Sequence, residues 1–300
     1  MASRVKAIMS PTQRSLKIAI LSTLAMIAFA ANSIIARLAL GERGIDPGSF
    51  TLLRLTSGAL SLILIVHFSA RRNRRKLEVL GSWISAAFLL LYAATFSYAY
   101  ISLGAATGAL VLFAVVQTVM LSVALRSGER PGLPGISGLA LALTGLIALV
   151  GPGISRPSPI GAFLMSIAGV AWAGYTLRGR GSDRPVLVTA GNFLRSIPLA
   201  LPLWLLFLLL NREAVHVDAR GVGLAILSGA VTSGLGYALW YTVLPSLSRS
   251  QSGIIQMAPA PLATVGGLII LGEPITAQLL VASFLVLSGV LIGVFAPQHK

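Results

Sequence analysis

Gln256-Met-Ala-Pro-Ala-Pro261 begins the most informative part of the chain, and Gly272-Glu273-Pro274 and Leu287-Ser288-Gly289 follow it closely. The region 252–294, which contains these three segments, has an earlier and degraded counterpart at 108–150. Self-similarity at a fixed spacing is the sequence sign of a duplicated structural unit. We therefore interpret the chain as two related halves.

The two halves share one offset. Glu273 lies 144 residues after Glu129, and Gly289 lies 144 residues after Gly145. Duplication of a half-protein is the simplest cause of such a match. In an apolar chain, a repeat of this length is typical of transporters.

The composition indicates a polytopic membrane protein. Hydrophobic residues make up 56% of the 300 positions and charged residues only 10%, whereas soluble domains average about 45–50% and about 25%. Mean hydropathy is +0.88. The chain has no cysteine, which excludes disulfides and thiolate metal sites. The net charge of +15 comes from cations between apolar segments, a pattern that sets membrane orientation and does not indicate nucleic-acid binding.

Ten apolar segments are each long enough for a membrane-spanning helix. The predicted spans are 16–38, 48–69, 80–102, 105–126, 134–151, 159–177, 186–210, 220–244, 250–271 and 275–296. We predict an all-α membrane protein with ten transmembrane helices, arranged as two inverted five-helix repeats around a central cavity. The predicted organisation is an N-terminal tail 1–15, a first repeat 16–151, a linker 152–158, a second repeat 159–296 and a C-terminal tail 297–300.

The positive charges predict the orientation. Most of the 23 Lys and Arg residues lie in segments that share one side of the membrane. Cytoplasmic connections carry this excess, so we expect both tails in the cytoplasm and the linker in the periplasm of a bacterial inner-membrane protein. Five helices per half is an odd number, so the second half is inverted, with Glu129 inside and Glu273 outside.

One alternative concerns the beginning of the chain. Basic residues, an apolar run and Ala28-Phe29-Ala30 together resemble a cleavable signal peptide. However, Phe29-Ala30-Ala31-Asn32 matches Trp172-Ala173-Gly174-Tyr175 of the sixth span. Cleavage would remove one member of this pair, so we predict that the segment is retained.

Acidic residues are confined to connections and helix ends. The acids are Glu42, Asp46, Glu78, Glu129, Asp183, Glu213, Asp218 and Glu273. Proton relays and sites for cationic drugs usually have a carboxylate or a histidine inside the bundle. His67 and His216 lie near span ends or in loops. The sequence therefore favours facilitated diffusion or exchange over obligatory proton coupling.

Arg37, Arg54 and Arg195 lie within predicted spans. A guanidinium can bind a substrate carboxylate through its fixed fork of N–H donors. It can also brace neighbouring helices through backbone carbonyls, or extend to the membrane interface. Arg54 and Arg195 occupy comparable places in the two halves, and for both the structural and the carboxylate-binding interpretations stay open.

Aromatic side chains with polar groups are candidates for a substrate cavity. Tyr92, Phe96 and Tyr100 are spaced four residues apart and share one face of the third span. The candidates in later spans are Trp172, Tyr175, Tyr237 and Trp240. Such rings form a rigid apolar surface with a few hydrogen-bonding points, which suits amphipathic metabolites. Anchoring at the membrane interface is the alternative role.

Amides and prolines complete the candidate site. An amide that faced lipid would lack hydrogen-bond partners. The amides expected to face the interior are Asn32, Gln117, Asn192 and Gln256. The sequence leaves open whether they bind substrate or other helices. Pro259 and Pro261 remove two backbone donors and predict a break in the ninth helix, with a plain packing kink as the alternative.

The chain resembles the drug/metabolite transporter superfamily over about residues 16–296. The resemblance rests on the two five-span halves, an aromatic residue followed by small residues in spans one and six, and an arginine early in the second span. It also rests on Tyr237-Ala-Leu-Trp240 and on the Pro259 segment that ends in Leu271-Gly272-Glu273-Pro274. Within the superfamily, the chain is similar to bacterial amino-acid and metabolite exporters, especially the aromatic amino-acid exporter group.

The resemblance implies an inner-membrane exporter whose central cavity, between spans 1, 3, 4, 6, 8 and 9, opens alternately to either side. It implies substrate binding by Asn32, Tyr92, Phe96, Tyr100, Gln117, Trp172, Tyr175, Tyr237, Trp240 and Gln256. Two departures are Phe29, where a tryptophan is common, and Arg130, where the second half has Pro274. Equal contributions from the two halves are therefore not expected.

We therefore expect export of amino acids, including aromatic ones, and of related small amphipathic metabolites by a uniport-like alternating-access cycle. Proton-coupled efflux of cationic drugs is the alternative, and the lack of acids within the spans disfavours it. A membrane enzyme or a non-transporting scaffold is a third interpretation, but the spans provide no Ser/His/Asp set, metal cluster or phosphate loop. We expect no cofactor, no metal and no nucleic-acid partner, and a monomer in the lipid bilayer.

Overall fold

The computed structural model describes residues 10–41, 43–73, 80–129, 132–149, 158–210, 215–272 and 277–295. Within these ranges the chain is helical, apart from short connections and one isolated β-bridge between Ile45 and Val217. The bridge joins the connection after the first helix to the segment before the eighth. The predicted all-helical class is therefore confirmed.

The helices are labelled in chain order. They are α1 Pro11–Gly41, α2 Pro47–Asn73, α3 Trp83–Ala99, α4 Ala105–Arg126, α5 Leu133–Leu149, α6 Pro159–Gly179, α7 Pro185–Leu210, α8 Ala219–Ser246, α9 Arg249–Leu271 and α10 Ala277–Phe295. Several boundaries differ by three to five residues from the predicted spans, and two of them have a clear local cause. α1 begins at Pro11 and not near residue 16, because Ser10 and Gln13 bond reciprocally to each other's backbone N–H groups. α3 begins at Trp83 because the Ser82 hydroxyl caps its first turn.

Seven of these helices are long and apolar enough to cross a membrane, by length and composition: α1, α2, α4, α6, α7, α8 and α9. Three shorter apolar helices are Trp83–Ala99, Leu133–Gly145 and Leu280–Ile292. Large apolar side chains cover the outer surface, among them Leu133, Ile147 and Phe284. A continuous apolar exterior of this kind suits lipid and not water. The protein is a multi-pass membrane protein, and the count of ten spans stays a prediction.

Both α8 and α9 change their helical form partway. The segments of α8 are an α-helix Ala219–Leu227, a π-helix Ser228–Leu235, an α-helix Gly236–Val243 and a 3-10 turn Leu244–Ser246. α9 consists of Arg249–Ile255 and Pro259–Leu271, with a turn between them. Pro259 has no N–H to continue the hydrogen-bond ladder. Short π-helical segments occur frequently at functional sites.

Helices of the two halves pack against each other in matched pairs. α5 packs on α10 and α2 on α7, while α1 packs on α8 and α9, and α6 packs on α3 and α4. If each helix is replaced by its counterpart in the other half, α1 by α6 and so on to α5 by α10, and the reverse, then the pair α1/α8 becomes α6/α3. The pair α1/α9 becomes α6/α4. These helix pairs are therefore related to one another by exchange of the halves.

The crossing of α5 and α10 is made of small residues. A Cβ atom added to Gly145 would lie 2.7 Å from the carbonyl oxygen of Ala282, and one added to Gly289 would lie against the carbonyl oxygen of Gly138. Ala282 follows Gly138 by the same 144 residues that separate the two other glycines. Along α5 the contacts run from Gly138 to Gly145, and their partners on α10 run from Gly289 back to Ala282. The two helices therefore run in opposite directions. Small residues of this kind allow close approach of membrane helices.

Gly128 and Gly272, also 144 residues apart, have the same backbone form. Their φ angles are +80° and +68°, in the left-handed region that glycine adopts without strain. They follow α4 and α9 and end those helices. The turn that contains Glu129 is described, whereas Glu273, Pro274 and Arg130 lie outside the described residues.

We expect Gly289→Ala to lower the stability of the protein by about 1–3 kcal/mol, because the added Cβ meets backbone atoms of α5 that cannot rotate away. The measurement is the melting temperature of the purified protein in detergent. Gly223→Ala in α8 is the matched control, since an added Cβ there has no atom within 4 Å. Alanine also has the higher helix propensity. Equal melting temperatures for the two variants would contradict the close crossing.

Candidate functional site

Aromatic rings from both halves of the chain meet in the interior. The Trp172 ring of α6 lies 4.8 Å from Tyr237, 5.0 Å from Tyr92 and 5.4 Å from Phe29, measured between ring centroids. Further buried rings of this aromatic cluster are Phe96, Tyr100, Tyr175, Phe193, Trp240 and Tyr241. The spacings are those of favourable aromatic pairs. Every predicted cavity ring therefore belongs to one interior cluster.

A small void lies inside the aromatic cluster. Its lining residues are Phe29, Asn32, Ser33, Tyr92, Phe96, Leu112, Phe113, Trp172 and Tyr237. The accessible volume is about 10 Å³, which is room for about one water molecule. Pockets that hold a metabolite measure about 300–1,000 Å³. The void is therefore too small for a metabolite, which could enter it only after the helices separate.

Gln256 is joined to the aromatic cluster. The indole N–H of Trp172 donates to Oε1 of Gln256 at 2.6 Å, and Nε2 of Gln256 donates to the carbonyl of Ser252 at 2.9 Å. The glutamine lies in the turn that separates the two segments of α9, three residues before Pro259. The interruption in α9 is thus tied to the central tryptophan.

Asn32 joins α1 to the π-helical segment of α8. Its Oδ1 atom accepts hydrogen bonds from the hydroxyls of Ser228 at 2.7 Å and Thr232 at 2.9 Å. Asn32 also lines the void. Because the π-helical segment supplies both hydroxyls, its unusual geometry sets the position of this amide.

Like Gln256, the two other predicted amides lie outside the void lining. Gln117 of α4 is buried beside Gly253, and its Oε1 atom has no hydrogen-bond partner among the described residues. Oδ1 of Asn192 accepts from the backbone N–H of Ser82 at 2.9 Å, and its Nδ2 donates to the Tyr175 hydroxyl at 3.5 Å. Asn192 therefore braces the start of α3 and holds one ring of the aromatic cluster.

Arg54 and Arg195 have different surroundings, although the sequence suggests a matched pair. Arg54 is 1% exposed and donates to the hydroxyls of Ser233, Tyr92 and Tyr237. Arg195 is half-buried and donates to the carbonyls of Leu80 and Gly191, at 2.7 and 3.1 Å. Arg195 therefore braces α7 against the segment before α3, whereas Arg54 lies among the residues around the void.

Several members of the interior site were missing from the predicted set, among them Phe29, Phe193 and Ser233. Phe29 contacts Trp172 directly, and its match to Trp172 in the repeat could have identified it. Phe193 packs on Tyr237, one position after Asn192 in the sequence. Ser233 contacts Arg54 from the π-helical segment, and no sequence pattern distinguishes this serine from its neighbours.

Arginines at two helix ends make equivalent connections in the two halves. Arg37, near the end of α1, donates to the carbonyls of Tyr100 and Ile101 after α3, at 3.2 and 3.4 Å. Arg180, directly after α6, donates to the carbonyls of Leu247 and Ser248 after α8. In each half, the first helix is therefore tied to the end of the third helix by a guanidinium.

Glu129 caps the beginning of α9. Its carboxylate accepts from the Arg249 side chain at 2.9 Å and from the backbone N–H groups of Arg249 and Ser250. Partial burial alone would raise the pKa of Glu129. The hydrogen bonds from Arg249 and Ser250 outweigh it and hold that pKa below its usual range. Glu129 thus has a defined structural role at the end of α4.

We expect Trp172→Phe to destabilise the protein by about 1–3 kcal/mol, because Oε1 of Gln256 would be left buried without a donor. Gln256→Met should have a similar effect by leaving the indole N–H unpaired. The double variant should lose clearly less than the sum of the two single effects, since both polar partners are then absent. Melting temperatures of the three variants test the pair, and strict additivity would argue against a direct interaction.

We expect Glu129→Gln to remove a pH-dependent part of the stability. A carboxyl group whose pKa is lowered by folding stabilises the protein above its unfolded pKa, near 4.3. That contribution is lost as the pH falls through the folded pKa. The wild-type protein should therefore lose its advantage over the variant, about 0.5–1 kcal/mol for a partly exposed group, as the pH falls below about 4.5. Asp183→Asn, at an exposed position, is the control and should leave the profile unchanged.

Comparison with known proteins identifies the family. The EamA-like transporter family matches residues 16–151 and, separately, residues 159–295. An uncharacterized protein of Pseudomonas aeruginosa is 45% identical over 288 residues, which is 96% of each chain. An uncharacterized transporter of Archaeoglobus fulgidus is 28% identical over 199 residues, covering 65% of this chain and 69% of that protein.

The fold is also found in an experimental structure. One crystal structure of a protein superimposes with a TM-score of 0.71 at 18% identity, covering 92% of this chain and 96% of that chain. A likeness at this identity concerns the fold alone. The family match, by contrast, extends over both halves of the sequence. The chain therefore belongs to the EamA-like transporter family of the drug/metabolite transporter superfamily.

Proposed function

We propose that this transporter exports amino acids, including aromatic ones, and related small amphipathic metabolites across the bacterial inner membrane. The observation that carries the proposal is the aromatic cluster, which closes around a void where helices of both halves meet. Closely packed aromatic rings favour a planar apolar side chain, and the hydroxyls and amides among them provide a few polar contacts. The same surface would suit aliphatic side chains of similar size.

The proposed cycle is alternating access between two inverted repeats of five spans each. Four observations support it: the two family matches, the exchangeable helix pairs, the antiparallel crossing of α5 and α10, and the shared turn form of Gly128 and Gly272. Inverted repeats allow a set of contacts in one half to be exchanged for the equivalent set in the other half. The hydrogen bonds that Arg37 and Arg180 donate to backbone carbonyls would then break alternately, one set in each form of the protein.

The transport is proposed to be uniport-like. Within the described ranges, the acids Asp46, Glu129, Asp183 and Asp218 all lie outside the helices or at their ends, and none lines the void. Proton relays in transporters are built from such groups inside the bundle. The buried positive charge of Arg54 also disfavours a cavity for cationic drugs, because like charges would be brought together in a medium of low dielectric constant.

The proposed orientation has both termini in the cytoplasm, since positive charge is concentrated in the connections that would then be cytoplasmic. The connections after α2 and α6 carry the arginine clusters of the sequence. We further propose that one chain, without a metal or cofactor, forms a complete transport unit, because the aromatic cluster is built from helices of a single chain.

Purified protein in liposomes should carry labelled phenylalanine, and unlabelled aromatic and aliphatic amino acids should compete with it. The flux should be the same with and without an imposed pH gradient. Trp172→Ala should reduce the initial rate by about tenfold or more, because a central contact of the cavity, worth at least about 1.4 kcal/mol, is removed.

The matched control is Phe163→Ala in the same helix, whose side chain is 66% exposed on the outer surface. It should transport at the wild-type rate. Flux that depends strictly on the pH gradient would contradict the uniport-like mechanism. The absence of flux for every amino acid tested would contradict the proposed substrates.

A further inference from the structure

Arg54 is a buried cation without a counter-ion among the residues that the structure describes. Its side chain is 1% exposed, and it forms no ion pair with any acid that the structure describes. A charged side chain inside a membrane helix costs at least about 2.5–3.5 kcal/mol on insertion scales. Such a residue is retained where its charge has a use. Arg54 therefore requires an explanation beyond helix packing.

The contacts of Arg54 are all with neutral groups. Nε donates to the Ser233 hydroxyl at 3.0 Å, and Nη2 donates to the hydroxyls of Tyr92 at 3.1 Å and Tyr237 at 3.4 Å. The guanidinium carbon lies 5.1 Å from the ring centroid of Tyr92 and 4.9 Å from that of Phe96. These contacts orient the guanidinium and support it by cation–π attraction, but none of them neutralises its charge.

One nitrogen of the guanidinium is unused. Nη1 is buried and has no hydrogen-bond partner among the described residues. A buried N–H group without an acceptor costs about 1–3 kcal/mol, and more where the group is charged. Such an unsatisfied donor, on a residue held by three other hydrogen bonds, is suited to an acceptor that arrives from outside the protein.

The position of Arg54 connects this donor to the void. Tyr92, Phe96 and Tyr237 contact the guanidinium and also line the void. The hydroxyls of Tyr92 and Tyr237 accept hydrogen bonds from Nη2, so each keeps its own proton to donate. One tyrosine can donate to the other, and at least one O–H group is then still available. An anion at this place would therefore meet both a guanidinium N–H and a phenolic O–H.

The bracing role is filled by other arginines. Arg37, Arg180 and Arg195 are only partly buried, and each donates to at least two backbone carbonyls. Carbonyl oxygens are the partners expected for an arginine that ties helices together. Within the described part of the chain, Arg54 donates to no backbone carbonyl and keeps one nitrogen unpaired, so its environment differs in kind from theirs.

We propose that Arg54 is the anchor for a carboxylate group of the transported molecule, with Tyr92 or Tyr237 as an additional hydrogen-bond donor. This inference rests on the proposed transport function and narrows its substrate class to carboxylates, whether or not they also carry an amine. A guanidinium binds a carboxylate strongly because both partners are charged and the N–H fork matches the two oxygens. The aromatic rings around the void then hold the apolar part of the molecule.

The test uses the melting temperature of purified full-length protein as a function of ligand concentration, which measures binding without transport. Four probes carry a phenyl ring on the same two-carbon chain and differ in their polar groups. They are L-phenylalanine, 3-phenylpropionate, L-phenylalaninamide and phenethylamine. The first two have a carboxylate and the last two do not. The apparent affinity of the wild-type protein should be about 10- to 100-fold higher for the two carboxylates.

Arg54→Gln should abolish this preference. The unliganded variant should melt at the wild-type temperature or above it, because a buried uncompensated charge has been removed. A purely structural brace would give the opposite result, a clear loss of melting temperature. Arg14→Gln removes the same charge from an exposed position and is the control, with the carboxylate preference retained.

Several results would overturn the proposal. They are equal binding of the amide and the acid by the wild-type protein, a preserved carboxylate preference in Arg54→Gln, or no binding of any carboxylate probe. The wild-type comparison remains decisive even if the variant fails to fold. A further outcome separates the two proposals: 3-phenylpropionate binds in a way that depends on Arg54, but no amino acid is transported. This result would support Arg54 as the carboxylate anchor and refute the proposed amino-acid export.

Discussion

Polar atoms inside a bilayer have partners only within the protein, and this constraint organises the structure. Asn32, Gln256 and Arg54 cannot turn toward lipid without losing every hydrogen bond. They therefore turn inward, and most of the aromatic side chains that carry a hydroxyl or an indole N–H turn inward with them. The outer surface is left mainly to apolar residues. Compared with a water-soluble domain, this protein has apolar side chains on its surface and many of its polar side-chain contacts in its interior, where the two halves meet.

Much of the fold follows from features visible in the sequence. The repeat offset identified Gly145 and Gly289, and both form the closest approach between α5 and α10. Hydropathy was sufficient for the helical segments because an apolar run of this length has few alternatives in a membrane. The boundaries were less accurate where side chains decide them. The start of α1 depends on a local bond between Ser10 and Gln13, to which hydropathy is insensitive.

The site was predictable only in its residue types. Tyr92 and Trp172 stood out because large polar rings are costly to leave unpaired within a span, and both lie beside the void. The sequence could not separate Arg54 from Arg195, since the surroundings of each come from other helices: tyrosines around one, and the free carbonyl of Leu80 beside the other. Ser233 gave no signal, because hydroxyl side chains in membrane helices commonly bond their own backbone and have no further role.

The charge of Arg54 also has an electrical consequence. A unit charge gains or loses about 2.3 kcal/mol for each 100 mV of membrane voltage that it crosses. When a closed cavity opens to one side, the residues within it take the electrical potential of that side. In the proposed alternating-access cycle, and in a cell whose interior is negative, the voltage would therefore favour the form of the protein in which Arg54 faces the cytoplasm. For the proposed export, this is the side from which the substrate is loaded, so the resting voltage itself would return the empty protein to its starting position.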